Sequence, residues 1–124
     1  MKLGQVTSKK FKDALGKLLV GDLPLRTAFR LKGMNKMVVG EAEKYEAVRQ
    51  DLLNKFGKKG DDGKLAVDAT NNVQFEAEGI RAFMQALQEL SDTDIDIPTL
   101  KIDDLGDKIE LSAEDLIVLD GFIV

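Results

Sequence analysis

Apolar side chains early in the chain recur at helical spacing. Phe11, Ala14, Leu15, Leu18 and Leu19 fall at i, i+3, i+4, i+7 and i+8, with Lys9, Lys10, Lys12, Asp13 and Lys17 largely outside that stripe. Thr7 and Ser8 are good N-cap types and Gly21 is a natural stop, so the pattern predicts a helix over about residues 9–20. Asp22-Leu23-Pro24 reads as a turn that places Pro24 at the first position of a second helix. Two periods then compete. Leu25, Thr27, Phe29 and Leu31 alternate with Arg26, Ala28, Arg30 and Lys32, as in a strand. Ala28, Leu31, Met34, Val38, Ala42, Tyr45, Val48, Leu52 and Phe56 instead step by 3 or 4 without a break. The length of the second pattern favours a helix, with residues 25–32 open between helix and strand. Gly33 and Gly40 lie inside it, and a kink near Gly33 to Asn35 is its expected weak point. Leu31, Val38, Tyr45 and Leu52 share one heptad position, while Met34, Glu41, Val48 and Lys55 make the companion position only half apolar. That suits a helix in a small bundle better than a strict two-stranded coiled coil.

Phe56-Gly57 ends the pattern, and Lys58 to Gly63 is an exposed turn cluster. Lys64 to Val67 and Val73 to Phe75 are short strand candidates, predicting a small β-hairpin. Ala77, Ile80, Phe83, Met84, Leu87 and Leu90 predict a return helix over about 76–91. Asp94-Ile95-Asp96-Ile97, Leu100 and Ile102 predict an extended segment at a sheet edge or across the helices. Ser112 to Asp115 resembles a capping box that opens a last helix over about 113–120, and Gly121 stops it. Phe122, Ile123 and Val124 form an apolar tail, expected to close the core against the first helix rather than to dock elsewhere. The expected architecture is a single domain, 1–124, mainly α with a small β component. It is an antiparallel helical hairpin with a short β-hairpin tip, plus N-terminal and C-terminal short helices.

Composition supports a packed core. At 124 residues, 44% apolar and 32% charged, the chain needs neither metals nor disulfides to fold, and it has no cysteine to form them. The N-terminal stretch lacks the apolar core of a signal peptide, and no apolar run has the roughly 18–20 residues of a membrane span, so no membrane role is expected. Charge changes the picture more. Residues 1–59 carry 14 Lys/Arg against 6 Asp/Glu, a balance of +8, and residues 60–124 carry 4 against 16, a balance of −12. Attraction between the halves, within or between protomers, is the favoured reading over a basic surface for an anionic partner.

The residue inventory excludes much chemistry. Without histidine or cysteine there is no Ser-His-Asp or Cys-His arrangement and no ordinary zinc site. Gly60 to Lys64 lacks the phosphate-loop spacing and the Ser/Thr after the lysine. Asp92, Asp94 and Asp96 begin like an EF-hand loop, but Ile97 stands where glycine is needed and Asp103 where a bidentate glutamate belongs. Asp103 and Asp104, adjacent on the chain, make a poor hydrolytic pair. No catalytic residue, cofactor or metal is therefore expected. The candidate anionic-partner face is Lys9, Lys10, Lys12, Lys17, Arg26 and Arg30; nearby Phe11 and Phe29 lie on apolar stripes and are expected in the core. The candidate protein interface is Met34, Met37, Val38 and Tyr45. Residues 28–56 as one helix run about 43 Å against about 24 Å for the return helix, which leaves seam uncovered and predicts a homo-oligomer.

The order of these segments resembles a family of small, functionally uncharacterised proteins encoded by tailed phages and prophages of Gram-positive bacteria. The resemblance covers about residues 22–124. It rests on Leu23-Pro24 before a helix, Glu43 to Phe56 followed by Gly57, and Gly60-Asp61-Asp62-Gly63. It continues through Asp94 to Pro98, Leu100, Ile102, Asp104-Leu105, and Leu111-Ser112 before a terminal helix. It implies a phage origin and synthesis in the host cytoplasm, and carries no catalytic residue over. The leading expectation is a non-enzymatic accessory protein that binds a phage or host protein, as assembly factor or adaptor. The alternatives are an inhibitor of a host defence or nucleic-acid-processing protein acting through an acidic surface, and nucleic-acid binding through the basic N-terminal half.

Overall fold

A computed structural model describes all 124 residues, and the chain is mostly helical. Five α-helices run in order: α1 (Leu3–Val6), α2 (Lys9–Leu19), α3 (Leu25–Phe56), α4 (Ala77–Ser91) and α5 (Ala113–Val118), with a 3-10 turn at Ile102–Leu105. No helix is long and apolar enough to cross a membrane.

The α2 stripe behaves as its spacing requires. Ser8 caps it, its Oγ accepting from the Phe11 N–H at 3.2 Å, and Phe11, Ala14, Leu15 and Leu18 are buried. Leu19, the last residue of the stripe, is instead exposed. In front of α2 lies α1, a single turn that buries Leu3 and Val6 and is too short to leave a periodic signature.

α3 is continuous from Leu25, so residues 25–32 are helix and the chain does not break at Gly33 to Asn35. Pro24 precedes the helix as its N-cap, with extended backbone, rather than occupying its first position. The strand-like alternation of residues 25–31 resolves into two ridges. Thr27 and Leu31, four apart, face inward and are buried, while Leu25 and Phe29, also four apart, stand on the other side in solvent.

At the far end of α3, backbone pairing is confined to isolated residue pairs, Lys59 with Leu65 and Val67 with Val73. Hydrogen bonds link Lys58, Ala66 and Gln74 in a ring: Ala66 N–H to Lys58 C=O, Gln74 N–H to Ala66 C=O, and Lys58 N–H to Gln74 C=O. α4 then returns along α3. Gly79 lets it start close to the end of α3: a Cβ there would lie 2.6 Å from the Phe56 carbonyl oxygen.

The last thirty residues wrap the opposite end. Leu3 N–H donates to Thr93 C=O and Ile95 N–H to Met1 C=O, tying the segment to α1. Residues 94–97 pair only through Asp94 with Lys2. Leu100 and Ile102 N–H groups donate to Phe122 and Val124, and Val124 donates back to Leu100. The tail thus lies parallel to residues 100–102, with Phe122 and Ile123 in the core and Val124 exposed. The Phe122 ring meets Phe11 of α2 edge-on, centroids 5.5 Å apart. Closure of the core, and not docking elsewhere, is what the first two tail residues do.

α5 opens on a complete capping box: the Ser112 Oγ accepts from Asp115 N–H and the Asp115 carboxylate accepts from Ser112 N–H, each at 3.0 Å. It ends at Val118, two residues early, and Gly121 makes the turn with φ +83°. The same carboxylate takes a 2.7 Å contact from Lys17 Nζ. That contact foremost, and the Ser112 N–H next, hold the Asp115 carboxyl below its ordinary value of 3.8, against a smaller opposing effect of burial. Because the folded value is the lower one, this contribution to stability is complete above pH 3.8 and is lost as pH falls through the depressed folded value. Asp115→Asn should flatten the acid limb of melting temperature against pH; an unchanged limb would show that Asp115 carries none of it.

Candidate functional site

Neither candidate cluster survives as drawn. Met34 and Val38 are 2% and 4% exposed, inside the main core with Leu31, Val6 and Leu100. α1 packs on α3, and Ile97, Leu100 and Leu105 of the C-terminal wrap join Met34 and Val38 in one core, so this part of α3 is covered without α4 extending over it. Met37, three residues beyond Met34, turns outward and is exposed, and Tyr45 is half-buried at the edge of the core. These four residues therefore do not share one surface.

Lys9, Lys10, Lys12, Lys17, Arg26 and Arg30 are all exposed, but they divide into two groups. Of those on α2, Lys10 and Lys17 face α5, with Lys10 Nζ 3.2 Å from Glu114 and Lys17 Nζ 2.7 Å from Asp115, and Lys9 and Lys12 make no ion pair. Lys2 likewise meets Asp94 at 2.7 Å, and Asp22 meets Lys108 at 3.4 Å. Part of the opposite charge of the two halves is thus met inside the protomer. Arg26 and Arg30 stand apart on α3, and with Lys32 and Lys36 they make no ion pair. No acidic residue occurs between Asp22 and Glu41.

The corner between α2 and α3 is the feature sequence reasoning missed. Val20 is 88% exposed, Leu25 86% and Phe29 80%, with Leu19 beside them partly uncovered. Phe29 is the correction here: its apolar character suggests core, but its place on the helix is opposite Thr27 and Leu31, and only one side of α3 can face inward. A cleft of about 270 Å³ lies alongside, lined by Leu18, Leu19, Leu23, Ala28 and Leu31, with Lys32 and Asn35 polar. Farther along α3, a Cβ added to Gly33 or Gly40 would meet nothing within 4 Å, so packing within the protomer does not require either glycine. The helical wheel carries the signal that was available: Arg26, Phe29, Arg30, Gly33 and Met37 fall on one side of α3.

The arm made by the far half of α3, the tip and α4 is the second uncovered region. Between Val38 and Ile97 only Leu53 and Phe83 are buried. Phe75 stacks on Phe83 with centroids 5.1 Å apart, but Val48, Val67, Ile80 and Met84 remain in solvent. Ile80 and Met84, one turn apart, form an open apolar ridge on α4.

The carboxylates do not assemble. Asp94 is drawn to Lys2, whose hydrogen bond holds its carboxyl below the usual range. No three acidic groups converge closely enough to hold a cation. Lys64 donates its N–H to Asp62 Oδ1 beside Gly63 at φ +77°, which makes Gly60 to Lys64 a turn. What the surface offers is two apolar regions, one of them strongly cationic. No family model matches the chain, and neither does any curated protein or solved structure.

Proposed function

We propose that this chain is a non-enzymatic, phage-encoded accessory protein that acts in the host cytoplasm by binding another protein, as an assembly factor or adaptor. Its helical hairpin, with the tip read as a short β-hairpin, is the binding surface. The observation that carries this reading is the arm. Two helices and a tip enclose only Leu53 and Phe83, and α4 leaves Ile80 and Met84 open on one side. A two-helix layer with an uncovered apolar ridge gains stability when a third element covers it.

The test is affinity purification of the full chain from host or infected cells, with identification of what co-purifies. Ile80→Asp with Met84→Asp should abolish capture of the specific partner. Both side chains are already exposed, at 38% and 56%, so the melting temperature should move by only a few degrees. Capture unaffected by the pair would overturn the arm as the binding surface. A second reading, inhibition of a host protein through an acidic surface, draws on exposed Asp103, Asp104, Asp107 and Glu110. The same purification separates the two: the partner is then a host enzyme, and its capture depends on those carboxylates instead of on Ile80 and Met84.

A further inference from the structure

The α2–α3 corner needs an occupant that is both apolar and anionic. Val20, Leu25 and Phe29 offer bulky hydrocarbon to solvent. Arg26, Arg30, Lys32 and Lys36 follow with no acid between Asp22, which is paired with Lys108, and Glu41. A sugar–phosphate backbone satisfies the cations but leaves the hydrocarbon uncovered. Another copy of the same corner satisfies the hydrocarbon but sets four cations against four, which is repulsive.

The chain itself carries the complement. On α5, Ile117 is 72% exposed, with Leu116 beside it. Glu114 stands three residues before Ile117, and Asp120 lies two residues past the end of α5; both are exposed. This apolar patch with two acids is opposite in charge to Phe29 with Arg26 and Arg30. We propose that the α2–α3 corner of one copy docks onto the α5 face of a second copy, so that this protein is a dimer built on charge-complementary apolar patches.

The two patches lie at the same end of the molecule, joined by the Lys17–Asp115 and Asp22–Lys108 contacts. A pair related by a twofold axis therefore makes the contact twice, each corner meeting the other copy's α5. Using both patches of each copy doubles the area of a single contact, toward the roughly 800 Å² per partner of a stable interface. Glu114 exchanges its exposed pairing with Lys10 for a partner across the interface, a small change because such pairs are weak in water. The docking is independent of the arm: Ile80 and Met84 take no part in it.

Sedimentation equilibrium of the full chain, from about 1 to about 300 micromolar, reads the outcome. The native chain should dimerise, and raising the salt should weaken the dimer because the paired charges are near the surface. Arg26→Glu with Arg30→Glu should weaken association at least roughly tenfold, and so should Glu114→Lys with Asp120→Lys. Mixing the two variants should restore a dimer, since the reversed charges then face each other again. Circular dichroism of each variant confirms that it is folded, and Phe29→Ala, which leaves charge untouched, should weaken the dimer as well. A native chain that is monomeric throughout, or a mixture that stays monomeric, overturns the proposal. So does a monomer that binds duplex DNA or anionic vesicles through Arg26 and Arg30, which would assign the corner to that ligand.

Discussion

Phe122→Ala is expected to lower the stability of this protein by about 3–5 kcal/mol. The ring has no solvent exposure, and it packs edge-on against Phe11, which is equally enclosed. Truncation removes the transfer energy of the ring and leaves a cavity among side chains that cannot all move in to fill it. The edge-on aromatic contact adds about 0.5–1.5 kcal/mol beyond the area buried. The loss also has structural reach. Phe122 accepts the Leu100 N–H and donates to Leu119, so its position sets the pairing of the tail with residues 100–102. Against a total stability of about 5–15 kcal/mol, this is a large fraction of what holds the domain together. Urea unfolding followed by circular dichroism measures it. Val124→Ala, two residues away and 60% exposed, is the control and should change stability by about 0.5 kcal/mol or less. Equal effects at the two positions would mean that the tail does not close the core.

The contrast between those two neighbouring positions shows where a sequence is readable. α2 and α4 could be placed from the chain alone because each is amphipathic, and recognisable chemistry opens α2 and α5: Ser8 before α2, and the Ser112–Asp115 box before α5. α1 could not, since one turn with Leu3 and Val6 has no period to detect. α3 was legible as a helix but not as a surface. Its first half bears apolar residues on two ridges, and apolarity does not say which ridge the rest of the protein will cover. The answer lies in the C-terminal wrap, where the Asp104 carbonyl accepts the Thr27 hydroxyl at 2.6 Å and fixes that side of α3 as the inner one. The burial of Met34 and Val38 and the exposure of Phe29 both follow from that choice of side. The charge asymmetry could be counted in advance, but not its pairing, because Lys17 and Asp115 are 98 residues apart along the chain.

Val38→Glu is expected to unfold the protomer rather than merely to weaken an assembly. Val38 is 4% exposed and packs within the main core cluster that holds Leu31 and Met34. A glutamate there loses the packing of the isopropyl group and places a carboxylate among hydrocarbon side chains. Either the charge stays unpaired, or the carboxyl takes up a proton with its pKa raised by burial; both routes cost several kcal/mol. Added to the lost packing, that is comparable to the whole stability of a domain this size. Met37→Glu, one residue earlier, is the matched comparison. At 43% exposure its side chain already meets water, and the same new charge should cost about 0.5–1 kcal/mol. Thermal melts followed by circular dichroism, with chemical-shift dispersion of the amide protons as a second readout, measure both. The expected result is a folded Met37→Glu and a Val38→Glu that lacks a cooperative transition. A Val38→Glu variant that stays folded and loses only self-association would move Val38 from the core to an interface.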